Sequence, residues 1–403
     1  MKGALMKRKY RDFAGFRKKT CSERRALIAD LCKLSTAELQ TLGTDGPLTD
    51  LAEVMVEHAL GMVPVPLGLA AGFIIDNEAV IVPMATEEAS VIAAASYAAR
   101  IIARGGGMRT WTEDPLMEGQ VFIEDLEERE AEALRAAFPR LESLLAAELT
   151  SMKERGGGLR RLDLSRIDGA HMNRLSMTVD VRDAMGANLL NTLCEKAAGW
   201  IRSKFGFTVI MAILSNEARD RRAGASFSVP AAAFSRIPGT VSPPAEAARR
   251  IVRAGEAAVW DRGRAITANK GIMNGISALA LATGNDTRAI EAAAHAYAAR
   301  DGRYAGLARY TLHDGVLSGR IELPLPLASV GGSVGFSEAA AVSLKILGNP
   351  ASRRLSAIAA ALGLAQNFAA LLALTGPGIQ AGHMRLHAKK AAYTAAARRG
   401  EAH

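Results

Sequence analysis

The chain has 403 residues, 49% of them apolar and 23% charged. That is the balance of a soluble globular protein, with room for two or three domains and at least one sizeable core. The net charge of +9, from 50 basic and 41 acidic side chains, comes without a basic helix carrying interleaved aromatics, so nucleic-acid binding is set aside. Diffuse positive charge serves an anionic cofactor equally well.

In chain order, residues 22–60 read as helices, with Ser22 and Thr36 near their starts. Residues 67–82 read as strands around a turn at Asp76 and Asn77, with Pro83 as the stop. Thr86 is placed to cap a helix over 87–104. The three glycines at 105–107 mark the first domain boundary. Residues 111–221 then alternate charged helical segments with strands: a helix near 126–150, a strand over 175–181, a helix over 189–201 and a strand from Phe207. Further helices are predicted over 243–259, 287–299 and 352–374, the first with proline at its start. Residues 318–335 read as a strand pair with a Gly-Gly turn.

The three cysteines, Cys21, Cys32 and Cys194, have no CxxC spacing. No metal site or disulfide framework is implied. The basic start lacks the apolar core of a signal peptide. The apolar stretches 271–282 and 359–374 are short or interrupted, so no membrane span is expected. A cytoplasmic protein is the expectation.

The residues 263–286, GRAITANKGIMNGISALALATGND, carry the sharpest chemical signal. Read as one short unit, they place Lys270 and Asp286 at its two ends, a cation held against a carboxylate, with Arg264 and Asn274 nearby. Such a pair polarises a carbonyl oxygen for reduction. The bland alternative is a surface lysine. DAMGAN at 183–188 lies between a strand and a helix. Gly186 there lets backbone approach a phosphate at a helix start, although a capped turn accounts for it equally, with Asp183 as the cap. Glu87 and Glu88 are either favourable charges in the first turn of a helix or, if buried, a proton donor. His383 reads as an exposed histidine or as a mobile acid. The glycines of 331–335 face a ligand or simply turn the chain.

Taken together, GFRKKT, EHALG, VPMATEEASVIAAAS, DVRDAMGANLLNT, ANKGIMNG, ATGNDTRAIEA and GLAQNFAALLAL, followed by GIQAGHMRLHA, resemble hydroxymethylglutaryl-CoA reductase of the soluble class II bacterial and archaeal type. The resemblance runs from about Arg11 to His387. It implies an α+β fold: a large, mainly helical substrate-binding and dimerisation domain (1–110 and 222–376) and a smaller ferredoxin-like NAD(P)-binding domain (111–221). A shortened C-terminal flap (377–403) completes it.

Glu88, Lys270, Asp286 and His383 match the family's catalytic residues. Ser90, Arg264 and Asn274 match those that hold the hydroxymethylglutaryl group. Asp183, Met185, Gly186, Asn188 and Asn216 match the dinucleotide site. The implied reaction interconverts 3-hydroxy-3-methylglutaryl-CoA with mevalonate and CoA, using two NADH or NADPH and no metal. The NAD-linked enzyme class is placed first and the NADP-linked class second. The implied assembly is a homodimer or larger, with active sites shared between subunits.

Three departures stand out. The chain stops 20 residues past His383, short for the family's flap. Ala268 stands where relatives often carry histidine. Residues 150–155, TSMKER, are polar or basic where an NAD-selective relative carries an aspartate, so the choice between NADH and NADPH stays open. Two rival readings are a related acyl-CoA or aldehyde reductase and a CoA-binding homologue impaired by its short flap.

Overall fold

The computed structural model describes residues 15–41, 43, 46–236 and 243–376. His383 and the expected flap lie outside them. The chain divides into two compact units, 1–66 and 67–403.

Among its described residues the first unit holds three short α-helices, α1 (Cys21–Cys32), α2 (Thr36–Gln40) and α3 (Pro47–Met55). Thr20, two residues ahead of Ser22, and Ser35, one ahead of Thr36, close capping boxes with Glu23 and Glu38. Each box satisfies two backbone donors that a bare helix start leaves open.

The second unit begins with a hairpin, β1 (Leu67–Ile75) and β2 (Glu78–Ala85). Its turn residues Asp76 and Asn77 both have positive φ, 53° and 71°, the backbone that matches the strands' twist. Pro83 does not end β2. It lies within the strand, opposite Leu69. Proline is tolerated there because β2 is the edge of its sheet.

Helix α4 (Val91–Ala103) and β3 (Met108–Thr112) follow. Next come β4 (Leu116–Glu124), α5 (Glu128–Ala136), α6 (Phe138–Leu145), α7 (Thr150–Glu154), β5 (Gly158–Ile167), β6 (Met172–Asp180), α8 (Ala187–Phe205) and β7 (Val209–Leu214). The chain then runs through β8 (Arg222–Pro230), α9 (Pro244–Trp260), α10 (Arg262–Ala282), α11 (Thr287–Ala298), β9 (Ala308–His313), β10 (Val316–Pro324), α12 (Glu338–Ile346) and α13 (Ser352–Thr375).

Two sheets result. One has six strands in the order β2-β1-β3-β8-β10-β9, the other four in the order β5-β6-β4-β7. The four-stranded sheet is antiparallel throughout. The fold is thus mixed α+β, with a substantial sheet inside the part read as mainly helical. The predicted strand pair at 318–335 is displaced. The strands are β9 and β10, joined at Asp314 and Gly315, and 332–335 forms a short 3-10 turn.

Each sheet carries its own core. Helix α13 lies across β3, β8 and β10 and packs on α4 and α10, around Phe73, Phe227, Phe234 and Phe368. Helix α8 covers β4 and β7 around Val121, Leu175, Leu193 and Ile201. Cys194 sits in that second core, where burial pushes its thiol up to about 12 and leaves it inert at neutral pH. By length and composition alone α13 would span a membrane. Of its most apolar stretch, 83% is buried inside this molecule, as befits a core helix.

Candidate active site

Helix α10 presents Ile266, Lys270, Asn274, Ser277 and Leu281 along one stripe, at spacings of three and four residues. All five are accessible. The opposite face, including Ile272, Ile276 and Leu279, is buried in the core. Gly271 and Gly275 do not break the helix. A Cβ at 275 would stand 3.2 Å from Leu362 and 3.3 Å from Gln366, so glycine's cost in a helix is offset by close approach to α13. Asn269, fully buried, donates to Ala305 O (3.0 Å) and accepts from Leu307 N (2.9 Å), fixing the helix's rotation.

Lys270 Nζ lies 3.2 Å from Glu88 Oε2. Glu88 is not in the first turn of a helix. The expected helix over 87–104 begins only at Val91, and 86–90 is a loop in which Thr86 Oγ1 accepts from Glu88 N (3.1 Å). Ser90 closes that loop at φ 80°, a strained conformation for a residue with a Cβ. Its hydroxyl is buried and has no hydrogen-bond partner among the described residues. Buried polar atoms are rarely left so, and the combination marks a place prepared for a ligand. Arg264, in the first turn of α10, has no ion-pair partner among the described residues.

Asp286 is not beside Lys270. Because residues 262–282 form a continuous helix, about 18 Å of axis separates Lys270 from the end of α10. Asp286 lies beyond that end and caps α11, accepting from Arg288 N (3.0 Å) and Ala289 N (3.1 Å). The reading of 263–286 as one short unit is therefore corrected. One chain brings Lys270 and Glu88 together and holds Asp286 elsewhere.

Asp286 instead lines a cleft of about 890 Å³ with Met185, Gly186, Asn188 and the glycines 331 and 332. Gly186 begins α8 at φ 92°, and no side chain caps that helix. A Cβ at 186 would meet Val181 Cγ1 at 2.5 Å. An uncapped helix start opening on a cleft receives anions, its free N–H groups and dipole both favouring negative charge. Across the cleft, Cβ atoms at 331 and 332 would meet nothing. The residues present therefore fit an anionic dinucleotide.

Asp183 does not line this cleft. Its Oδ1 accepts from Ser352 N (2.8 Å), and Ser352 Oγ donates to Arg182 O (2.8 Å). It caps α13 and anchors the loop from behind. Asn216 is exposed in the loop after β7 and is likewise not brought into the cleft. Among the described residues no group of three or more His, Cys, Asp or Glu converges as a metal site would require.

A sequence model of the family described as hydroxymethylglutaryl-coenzyme A reductase matches residues 20–388. The chain belongs to that family. It is of the class II type. This class II chain is 42% identical over 389 residues to the 3-hydroxy-3-methylglutaryl-coenzyme A reductase of Archaeoglobus fulgidus, covering 95% of this chain and 87% of the relative. A probable reductase of Borreliella burgdorferi is 35% identical over 375 residues, covering 93% and 85%. The solved class II reductase of Streptococcus pneumoniae, bound to NADPH in open conformations, matches with a TM-score of 0.78 and 38% identity. That match covers 90% of this chain and all of the other. A further structure of the Streptococcus pneumoniae enzyme gives a TM-score of 0.78 at 39% identity over 94% of this chain and 90% of that one.

Sequence reasoning passed over several residues that hold this class II site in shape. Asn285 exchanges two hydrogen bonds with the Ala328 backbone, at 3.0 and 2.7 Å, joining two walls of the cleft. The Gly-Asn-Asp ending of the 263–286 segment was the available signal. Asn269 stands beside the lysine and was hidden by it. Arg221 had no local signal, because its partners lie 37 and 106 residues away.

Proposed function

We propose that this chain is a hydroxymethylglutaryl-CoA reductase, interconverting 3-hydroxy-3-methylglutaryl-CoA and (R)-mevalonate plus CoA in two hydride transfers. The observation that carries the reading is the Lys270–Glu88 pair at 3.2 Å, beside the unpartnered Ser90 hydroxyl. The bound dinucleotide supplies the hydrides. Lys270 stabilises the negative charge that grows on the thioester oxygen, and Glu88 delivers the proton that neutralises it. The C–S bond of the resulting hemithioacetal then breaks as its hydroxyl returns its proton to Glu88, and the departing CoA thiolate takes a proton from His383, a role that rests on the family motif GHM. The same Lys270 and Glu88 serve the aldehyde in the second reduction. Ser90, Arg264 and Asn274 orient the acyl group, Arg264 through its carboxylate.

The site is completed by a second copy of the chain. Asp286 faces the dinucleotide cleft, a helix length from the lysine it is expected to assist. A homodimer that sets one chain's cleft against the other's Lys270 reunites them. The apolar Ile266 and Leu281, exposed at both ends of the lysine stripe, suit such a contact. The order β4–α5–β5–β6–α8–β7 supports a ferredoxin-like dinucleotide domain over 111–221. Ser151 and Arg155 on the cleft wall favour NADPH, while Glu148, the acid there, is held by Lys196.

The test follows absorbance at 340 nm with (S)-3-hydroxy-3-methylglutaryl-CoA and either NADH or NADPH, beside Lys270→Ala. Two cofactors oxidised per CoA released, with the rate lost in the variant, is the expected result. No turnover with either cofactor by folded, dimeric protein overturns the reading.

A further inference from the structure

Arg221 lies in the connection from β7 to β8 and is 4% exposed. Its guanidinium donates to Ala184 O at 3.1 Å and to Leu327 O at 2.5 Å. Its own carbonyl accepts from Leu325 N at 3.0 Å. Two acids act on it electrostatically, Asp180 and Asp183, yet both are engaged elsewhere. Asp180 is taken by Arg160 and Arg182, and Asp183 by Ser352 N. Burial draws the guanidinium down to about 10, against the pull of those two acids, so it remains a cation at neutral pH.

A buried cation held chiefly by carbonyls is costly, and an apolar side chain of similar length would fill the space at less expense. Its position suggests what it does. Ala184 belongs to the loop that leads into Gly186 and the uncapped start of α8. Leu327 directly precedes Ala328, which lines the opposite wall of the cleft. Ser329 N, on that wall, donates to Asp183 O at 2.9 Å, and Asn285 holds Ala328 from a third side. Arg221 is thus a buried cation in a polar joint that sets the separation of the two walls.

We propose that Arg221 is a positioning residue for dinucleotide binding. It clamps the 184–188 loop to the 325–328 segment and keeps a positive charge behind the helix start that receives the diphosphate. It touches neither the dinucleotide nor the acyl group. The proposal rests on the reading of the cleft as the dinucleotide site.

The test measures affinities and needs no turnover. NADPH and NADH are titrated by nicotinamide fluorescence, and CoA thioester by calorimetry, into the full chain, Arg221→Met and Arg221→Lys. Arg221→Met is expected to raise the dinucleotide Kd about tenfold or more, the loss of two charge-assisted hydrogen bonds, with thioester affinity within twofold. Arg221→Lys, which keeps the charge and reaches one carbonyl, falls between. If the methionine variant does not fold, the lysine variant decides alone. A dinucleotide Kd raised several-fold with unchanged thioester affinity upholds the proposal. Equal losses for both ligands, or no change in either, overturn it as a merely structural arginine. A parent chain that binds neither dinucleotide overturns the reading of the cleft itself.

Discussion

Lys270 and Glu88 meet in the open, with side chains 63% and 41% exposed. Exposed pairs contribute about 0.2–1 kcal/mol to folding, so this one is poorly explained as a stabilising contact. Lys270→Ala should therefore abolish reduction while leaving the thermal midpoint within about 2 °C, measured by calorimetry on the same sample. Asp76 behaves oppositely. Burial raises its pKa, but hydrogen bonds from Thr110 and Arg354 outweigh that, and the carboxyl is held below its ordinary 3.8. A depressed folded-state pKa contributes stability above the unfolded value and loses it as pH falls through the folded one. Acid should thus erode the parent's stability below about pH 4, and Asp76→Asn should remove that part of the dependence while lowering the midpoint at pH 7. An unchanged acid limb in thermal melts from pH 7 to 3 would speak against it.

At the scale of elements, the start of α8 makes a prediction of its own. Gly186 combines φ 92° with a Cβ position already filled by Val181. Gly186→Ala should raise the dinucleotide KM at least tenfold with little change in the KM for the thioester; an unchanged cofactor KM would show that the helix start is not used. Elements such as α9, α11 and α13 were legible because proline starts, caps or long apolar runs mark them locally. The run 262–282 reads as part of a short unit because a lysine beside a glycine, then Asn274 and a closing Gly-Asn-Asp, are more than an ordinary helix needs, and only α13, nearly a hundred residues on, makes Gly275 useful. The displaced strands β9 and β10 show the same limit. The Gly-Gly of 331–332 resembles a hairpin turn, whereas Asp314-Gly315 makes it. Glu88 was legible as an acid in a motif. Its place in a loop, and its pairing with Lys270 across 182 residues, depend on how β2 meets α10.

At the scale of the whole molecule, one chain pairs Lys270 with Glu88 and places Asp286 at the cleft, and the proposed homodimer would bring the two together as one shared site. This gives a mixing experiment. Lys270→Ala and Asp286→Ala subunits, each inactive alone, should regain part of the parent activity when unfolded and refolded together. A mixed dimer then carries one site with both residues intact and one with neither. Activity that stays absent, with mixed dimers verified by mass, would place both residues in a single chain's site. The segment holding Lys270 and Asp286 is contiguous in sequence, and its separation into two places follows from the continuous helix 262–282.

Ser90 has one more consequence. Its backbone is held at φ 80° and its hydroxyl is buried with no partner among the described residues, and both penalties fall on the resting protein. Ser90→Gly relieves them together. The variant should melt at a higher temperature than its parent and grip the acyl group less well. Heat resistance and substrate affinity then pull this one position in opposite directions, and a screen for thermostable variants would select against the enzyme's own substrate.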